Sequence, residues 1–233
     1  DWGHDVTVFS ADADAKGEHH EQRNGVSIRR FKSLSPNDSM YIAPRITKAV
    51  RKYNADIIHA HNYHAFPALF AAIGKTDERF VFTTHYHSNS ASTIRDRLLS
   101  LYRPIGRWTL QQAHEVIAVS SWERDQLYND FGIDAIVIPN GVDINRFTTT
   151  EPEKCEQPYL LCVGRLVKYK GVQYVIKILN ELPEYELIIV GSGPYREELE
   201  RCAREVEIVD RVHFLGYVDD KHLPSLYAGA EVF

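Results

Sequence analysis

The stretch Glu115-Val116-Ile117-Ala118-Val119-Ser120-Ser121-Trp122-Glu123 decides the fold class. Val116 to Val119 are apolar on consecutive positions, the pattern of a strand buried on both faces. Ser120, followed three residues later by Glu123, is a capping box, so a helix starts where the strand stops. A doubly buried strand running straight into a helix is the repeating unit of a parallel α/β sheet.

Working outward, the same alternation repeats. Strands are predicted over 6–10, 27–31, 56–61, 80–85, 115–120 and 135–139, and helices over 40–53, 65–73, 93–113 and 121–131. Arg103-Pro104-Ile105-Gly106 is expected to break the third helix in two. Asn140-Gly141 signals a turn, and 148–157, with Pro152 inside it and Pro158 next, reads as a linker. Beyond it, strands over 159–166, 187–190 and 212–217 alternate with helices over 172–182, 195–206 and 221–229, and a further strand begins at Val232. The expected architecture is α/β with two Rossmann-like lobes, residues 1–147 and 158–233, whose parallel sheets face a cleft. Gly3, placed like a helix stop ahead of the first strand, and the nascent strand at the last residues make both lobes read as incomplete.

Composition excludes several classes. Of 233 residues, 44% are hydrophobic and 25% charged, as in a globular protein with a real core. A net charge of −5 argues against a dedicated nucleic-acid binder. Three scattered cysteines form neither a disulfide framework nor a CxxC metal site, which points to a reducing, cytoplasmic compartment. No apolar run reaches the ~18 residues of a membrane span, and neither a span nor a signal peptide is expected from these residues.

The sharpest chemical signal is Val163-Gly164-Arg165-Leu166-Val167-Lys168-Tyr169-Lys170-Gly171, on the first strand-to-helix turn of the second lobe. A helix starting here offers backbone N–H groups and the positive end of its dipole to an anion. Arg165 can contact a phosphate with two prongs, and Lys170 adds a point charge. Two such cations could bind a diphosphate and stabilise it as a leaving group. A solvated basic turn accounts for the same residues when they are taken alone.

They do not stand alone. Gly164-Arg165-Leu166-x-x-x-Lys170-Gly171 resembles the GRL-x-x-x-KG signature of family 4 retaining glycosyltransferases, the GT-B type also known as glycosyl transferases group 1. Ile138-Pro139-Asn140-Gly141-Val142-Asp143, the strand Val116 to Ser120, Ile189-Val190-Gly191-x-Gly193-Pro194, Val212-x-Phe214-Leu215-Gly216-x-Val218 and Leu226-Tyr227-Ala228 follow that family's order and spacing. The resemblance implies a retaining transferase that moves a sugar from a nucleoside-diphosphate donor to a hydroxyl acceptor. It implies that Arg165 and Lys170 grip the donor diphosphate beside Gly164, that the main chain of Gly216, Tyr217 and Val218 meets the nucleobase, and that His85 faces the donor sugar. It implies no required metal or cofactor, a glycan or lipid-linked acceptor, and in some relatives a peripheral place on the inner membrane face. The family also has a strand and glycine-rich loop ahead of the first residue here, and a paired-glutamate element after the last, so this chain alone is expected to be inactive. A non-catalytic sugar-nucleotide-binding module and an epimerase or phosphorylase of the same architecture stay open.

Weaker signals have plainer readings. His59, His61, His64, His85 and His87 lack a carboxylate or cysteine to complete a metal shell and read as polar strand-end lining. The basic groups Arg45, Lys48, Arg51, Lys52 and Arg95, Arg97, Arg103, Arg107 fit either a solvated face or an anionic membrane surface. Gly191-Ser192-Gly193-Pro194-Tyr195-Arg196 resembles a dinucleotide fingerprint, but Arg196 stands where close packing needs a glycine.

Overall fold

The computed structural model describes residues 3–35, 41–87 and 93–233, with the side chains of 93–100 excepted. The chain divides between Asn140 and Gly141 into two compact units.

In the first unit, β1 (Thr7–Asp12), β2 (His19–Arg23) and β3 (Val26–Lys32) form one sheet in the order β1-β3-β2. The β1–β3 pairing is parallel, with Phe9 opposite Arg29, whereas β2 returns antiparallel on β3. Hydrophobic patterning misses β2 because His19-His20-Glu21-Gln22-Arg23 has no apolar residue. Its signal is Asn24-Gly25, whose φ values of +51° and +79° are those of a two-residue hairpin turn. An antiparallel strand is thus added to an otherwise parallel architecture.

The rest of the unit is α1 (Arg45–Lys52), β4 (Ile57–His61), α2 (Phe66–Gly74), β5 (Arg79–Thr83), α3 (Thr93–Gln111), β6 (Glu115–Ala118), α4 (Ser121–Phe131) and β7 (Ile136–Val137). The strands form a parallel sheet in sequence order, β4-β5-β6-β7. Phe80, Phe82, Ala118 and Leu127 are fully buried in its core. The helix expected over 40–53 starts at Arg45, after Pro44, and Met40 lies outside the described residues. The expected break in α3 does not occur: the helix runs through Pro104. Proline removes one backbone bond, but packing of Tyr102, Thr109 and Leu110 into the core holds both sides together. Gly106 presses on the Tyr63 ring, where a β-carbon would lie 2.1 Å from the phenolic oxygen.

The second unit contains α5 (Asn145–Thr148), β8 (Tyr159–Val163), α6 (Val172–Leu179), β9 (Glu186–Val190), α7 (Arg196–Glu205), β10 (Val212–Gly216) and α8 (Leu223–Gly229). Its strands pair in parallel in the order β10-β9-β8, and Val232 bridges to Leu160 on the far side of β8. Along β9, Leu187 and Ile189 pack with α6 and α7, while Ile188 and Val190 pack with Tyr159, Leu161 and Leu226. A strand buried alternately on both faces is the mark of a doubly wound sheet. Arg211 closes the far end of α6, donating to Leu179 O at 3.1 Å, Leu182 O at 2.7 Å and Tyr185 O at 3.0 Å. The stretch read as a linker is docked on this unit. Glu153 N–H donates to Ser225 O at 2.9 Å, its carboxylate meets His222 Nε2 at 2.9 Å, and Phe147 packs edge-on against Tyr227.

Candidate active site

In the second unit β8, β9 and β10 run in parallel; Gly164 and Gly191 directly follow the first two and Gly216 closes the third, with φ of +151°, +126° and +69°. Their loops interlock through the backbone. Gly164 N–H donates to Val190 O at 2.9 Å, Gly191 N–H to Gly216 O at 2.6 Å, and Leu166 N–H to Ser192 O at 2.9 Å. A β-carbon on Gly191 would lie 2.0 Å from Gly164 O, and one on Gly193 would lie 2.3 Å from Leu166 O. Only glycine permits that approach.

Arg165 and Lys170 project from this edge and are both exposed, while Leu166 between them is buried and anchors the loop. Among the described residues neither side chain has an ion-pair or hydrogen-bond partner; Lys170 Nζ lies 5.9 Å from the Tyr169 ring centre. A short 3-10 turn, Lys168–Lys170, carries Lys170 and leads into α6, whose N-cap Gly171 supplies no capping side chain. The N–H groups of Lys170 and Gly171 are used inside that turn, so any backbone donors for an anion come from the first turn of α6. Tyr217, directly after Gly216, is 84% exposed, whereas Val218 packs against the buried cluster of Tyr159, Leu161, Ile188, Val190 and Leu226. Arg196, at the odd position of the glycine pattern, faces outward over the Phe214 ring and pairs with Glu200.

His85 belongs to the first unit, two residues beyond the end of β5. Its φ is +46°, unusual for a residue with a β-carbon. Its ring stacks on His61 at 5.9 Å, and His61 lies 4.3 Å from His59, whose Nε2 meets Thr83 Oγ1 at 2.8 Å. Loss of hydration lowers the pKa of His59. The same cause lowers that of His61, and repulsion from the imidazoles on either side adds to it. These two rings therefore favour the neutral form more than a free histidine does.

Two side chains of α4 hold the segment around His85, and sequence reasoning gave neither a role there. Glu123 accepts from Tyr86 N–H at 2.5 Å and from the Thr84 hydroxyl. Asp130 accepts from Tyr86 Oη at 2.7 Å and pairs with Arg103 at 2.6 Å. No local motif could have announced these contacts, since they join positions about 40 residues apart. Of the basic groups, Arg103 and Arg107 are engaged with Asp130 and the Phe131 carbonyl, and the side chains of Arg95 and Arg97 lie outside the described residues. Arg45, Lys48 and Lys52 remain exposed on α1. Among the described residues no helix is long and apolar enough to cross a membrane.

The sequence pattern described as Glycosyltransferase Family 4 matches residues 1–146, and that of Glycosyl transferases group 1 matches residues 143–233. The GDP-mannose-dependent alpha-(1-6)-phosphatidylinositol monomannoside mannosyltransferase of Mycolicibacterium smegmatis is 26% identical over 99% of the chain. Among solved structures, sucrose-phosphate synthase from Thermosynechococcus elongatus superposes with a TM-score of 0.77 at 21% identity over 98% of the chain. Anabaena Alr3699/HepE, solved in complex with UDP and glucose, gives 0.67 at 20% identity over 89%. The chain spans 64% of the mannosyltransferase, 64% of the synthase and 60% of Alr3699/HepE. The fold likeness is to GT-B glycosyltransferases. With the first pattern covering well over half of its residues, the chain belongs to Glycosyltransferase Family 4.

Proposed function

We propose that the whole protein transfers a sugar from a nucleoside-diphosphate sugar to a hydroxyl acceptor with retention of anomeric configuration, the donor resting mainly on the second unit. The observation that carries this reading is the pair of exposed cations, Arg165 and Lys170, without ion-pair or hydrogen-bond partners among the described residues and set beside three interlocked glycine turns. A diphosphate gathers negative charge as the bond from the anomeric carbon to its oxygen breaks. Preorganised cations stabilise that charge more in the transition state than in the ground state. The acceptor oxygen bonds to the anomeric carbon, its proton passes to a donor phosphate oxygen, and the nucleoside diphosphate leaves. Positive charge comes from side chains, so the scheme requires no metal. Tyr217 offers an exposed ring next to the loops for the nucleobase, and His85 faces the donor sugar.

The names of similar proteins support particular donor and acceptor classes. A GDP-mannose-dependent enzyme acting on a phosphatidylinositol mannoside supports a lipid-linked or glycan acceptor. Exposed Arg45, Lys48 and Lys52 fit a cytoplasmic protein touching an anionic inner membrane face. UDP and glucose in Alr3699/HepE keep uridine donors among those to be tried.

The test is donor turnover by the whole protein with GDP-mannose and UDP-glucose. Arg165→Ala and Lys170→Ala are each expected to lower it by roughly 10²–10³-fold, the usual loss for one charge-stabilising group. Their folding stability should stay within about 0.5 kcal/mol, because both side chains are exposed. Wild-type turnover in both variants would overturn the reading, as would a product of inverted anomeric configuration.

A further inference from the structure

His85 sits between two residues held by one carboxylate. Glu123 is 2% exposed. Its Oε1 accepts from the Thr84 hydroxyl and from Tyr86 N–H, and its Oε2 accepts from Val119 N–H at 2.7 Å. The capping box is only half made. Ser120 Oγ accepts from Glu123 N–H at 3.1 Å, but the glutamate side chain crosses to the segment after β5 instead of returning to Ser120 N–H. Seven residues further along α4, on the same face, Asp130 takes the Tyr86 hydroxyl. Among the described residues no hydrogen bond fixes the His85 ring itself. Its left-handed backbone is disfavoured for a residue with a β-carbon. Such a conformation persists only where the surroundings over-determine it.

We propose that Glu123 is a positioning residue for His85: through Thr84 and Tyr86 it fixes the turn that carries the imidazole onto His61. The effect on transfer rests on the reading of His85 given above, whereas the effect on the ring's place does not. Both oxygens of the carboxylate are in use. Glu123→Gln keeps the shape but swaps one acceptor for an amide nitrogen that can only donate, so at least one N–H or hydroxyl loses its partner.

The experiment is NMR on the chain with histidines labelled at Cε1, His85 being assigned by the signal lost in His85→Gln. In Glu123→Gln the Tyr86 amide proton is expected to move upfield and the His85–His61 proton contact to disappear, while His213 in the second unit keeps its shift. In the whole protein, turnover of GDP-mannose or UDP-glucose should fall roughly ten- to a hundredfold with donor KM within about threefold, as for a misplaced reacting group. Should Glu123→Gln fail to fold, Thr84→Val removes one of the three donors and should reproduce the His85 change, while Thr84→Ser keeps the hydroxyl and should restore wild-type signals. Unchanged His85 and His61 signals in folded Thr84→Val would overturn the proposal, as would unchanged signals in a Glu123→Gln variant whose Tyr86 amide proton has moved. So would a His85→Gln variant that loses turnover beside a Glu123→Gln variant that keeps it. If the signals move and neither variant affects turnover, the positioning stands and the donor-facing reading of His85 falls.

Discussion

The strand ends of the two units are built in different ways. In the second, three glycine turns interlock backbone to backbone, and the charged side chains stand free in solvent. In the first, the segment after β5 is gripped by one buried and one half-buried side chain of α4, and an imidazole is delivered on a left-handed residue. Bare backbone with loose cations suits a bulky polyanion, which needs many donors and tolerates small shifts. A clamped ring suits a single contact whose position has to be kept.

The largest effect that could break this contrast is Gly191→Ala. Its β-carbon would meet Gly164 O at 2.0 Å, and its φ of +126° is closed to alanine. The loss should exceed about 3 kcal/mol in denaturant unfolding and localise to the second unit by hydrogen exchange. A loss under ~1 kcal/mol would mean that the turns do not depend on each other. Of opposite sign is Tyr63→Phe. The Tyr63 hydroxyl is buried among aromatic rings without a hydrogen-bond partner among the described residues, and burial raises its pKa well above the usual phenol range. Removing it should stabilise the first unit by about 1 kcal/mol, read as a higher unfolding midpoint, whereas a partnered hydroxyl would make the change destabilising.

The smallest effect is a pH dependence that sharpens the same comparison. His59 and His61 have lowered pKa values in the fold, so below about pH 6.5 the unfolded chain takes up protons more readily than the native one. Stability of the first unit should therefore begin to fall as pH drops through 6.5. In the second unit the marked carboxylate is Glu153, whose pKa is lowered by His222 and Ser225. Its contribution is present above the free carboxyl's value and is lost only as pH falls through the folded one. Following unit-specific amides from pH 7 to 4 should show the first unit weakening earlier. Simultaneous loss would remove the histidines as its cause.

The same contrast explains what was legible in the sequence. Glycine turns and exposed cations occupy consecutive positions, so Gly164 to Gly171 and Gly191 to Gly193 could be read directly. The capped start of α4 was legible for the same local reason, and its extent over 121–131 matches the expected one. The polar strand β2 was not, because two-faced burial is the signal for a strand and β2 has none; only Asn24-Gly25 marks it. Pro104 misled because the penalty for proline is a local term that tertiary packing outweighs. The grip of Glu123 on Thr84 and Tyr86 was invisible because a capping box gives the glutamate a sufficient local duty.

Arg211, holding the Leu179 carbonyl that ends α6 and two carbonyls just beyond it, has a consequence at the opposite end of that helix. The negative tail already has a half-buried guanidinium against it, while the positive head beside Gly171 has no capping side chain. Added salt shields the exposed Arg165 and Lys170 far more than a cation seated against main-chain oxygens. Whatever attraction for an anion survives at high ionic strength therefore comes from the helix itself.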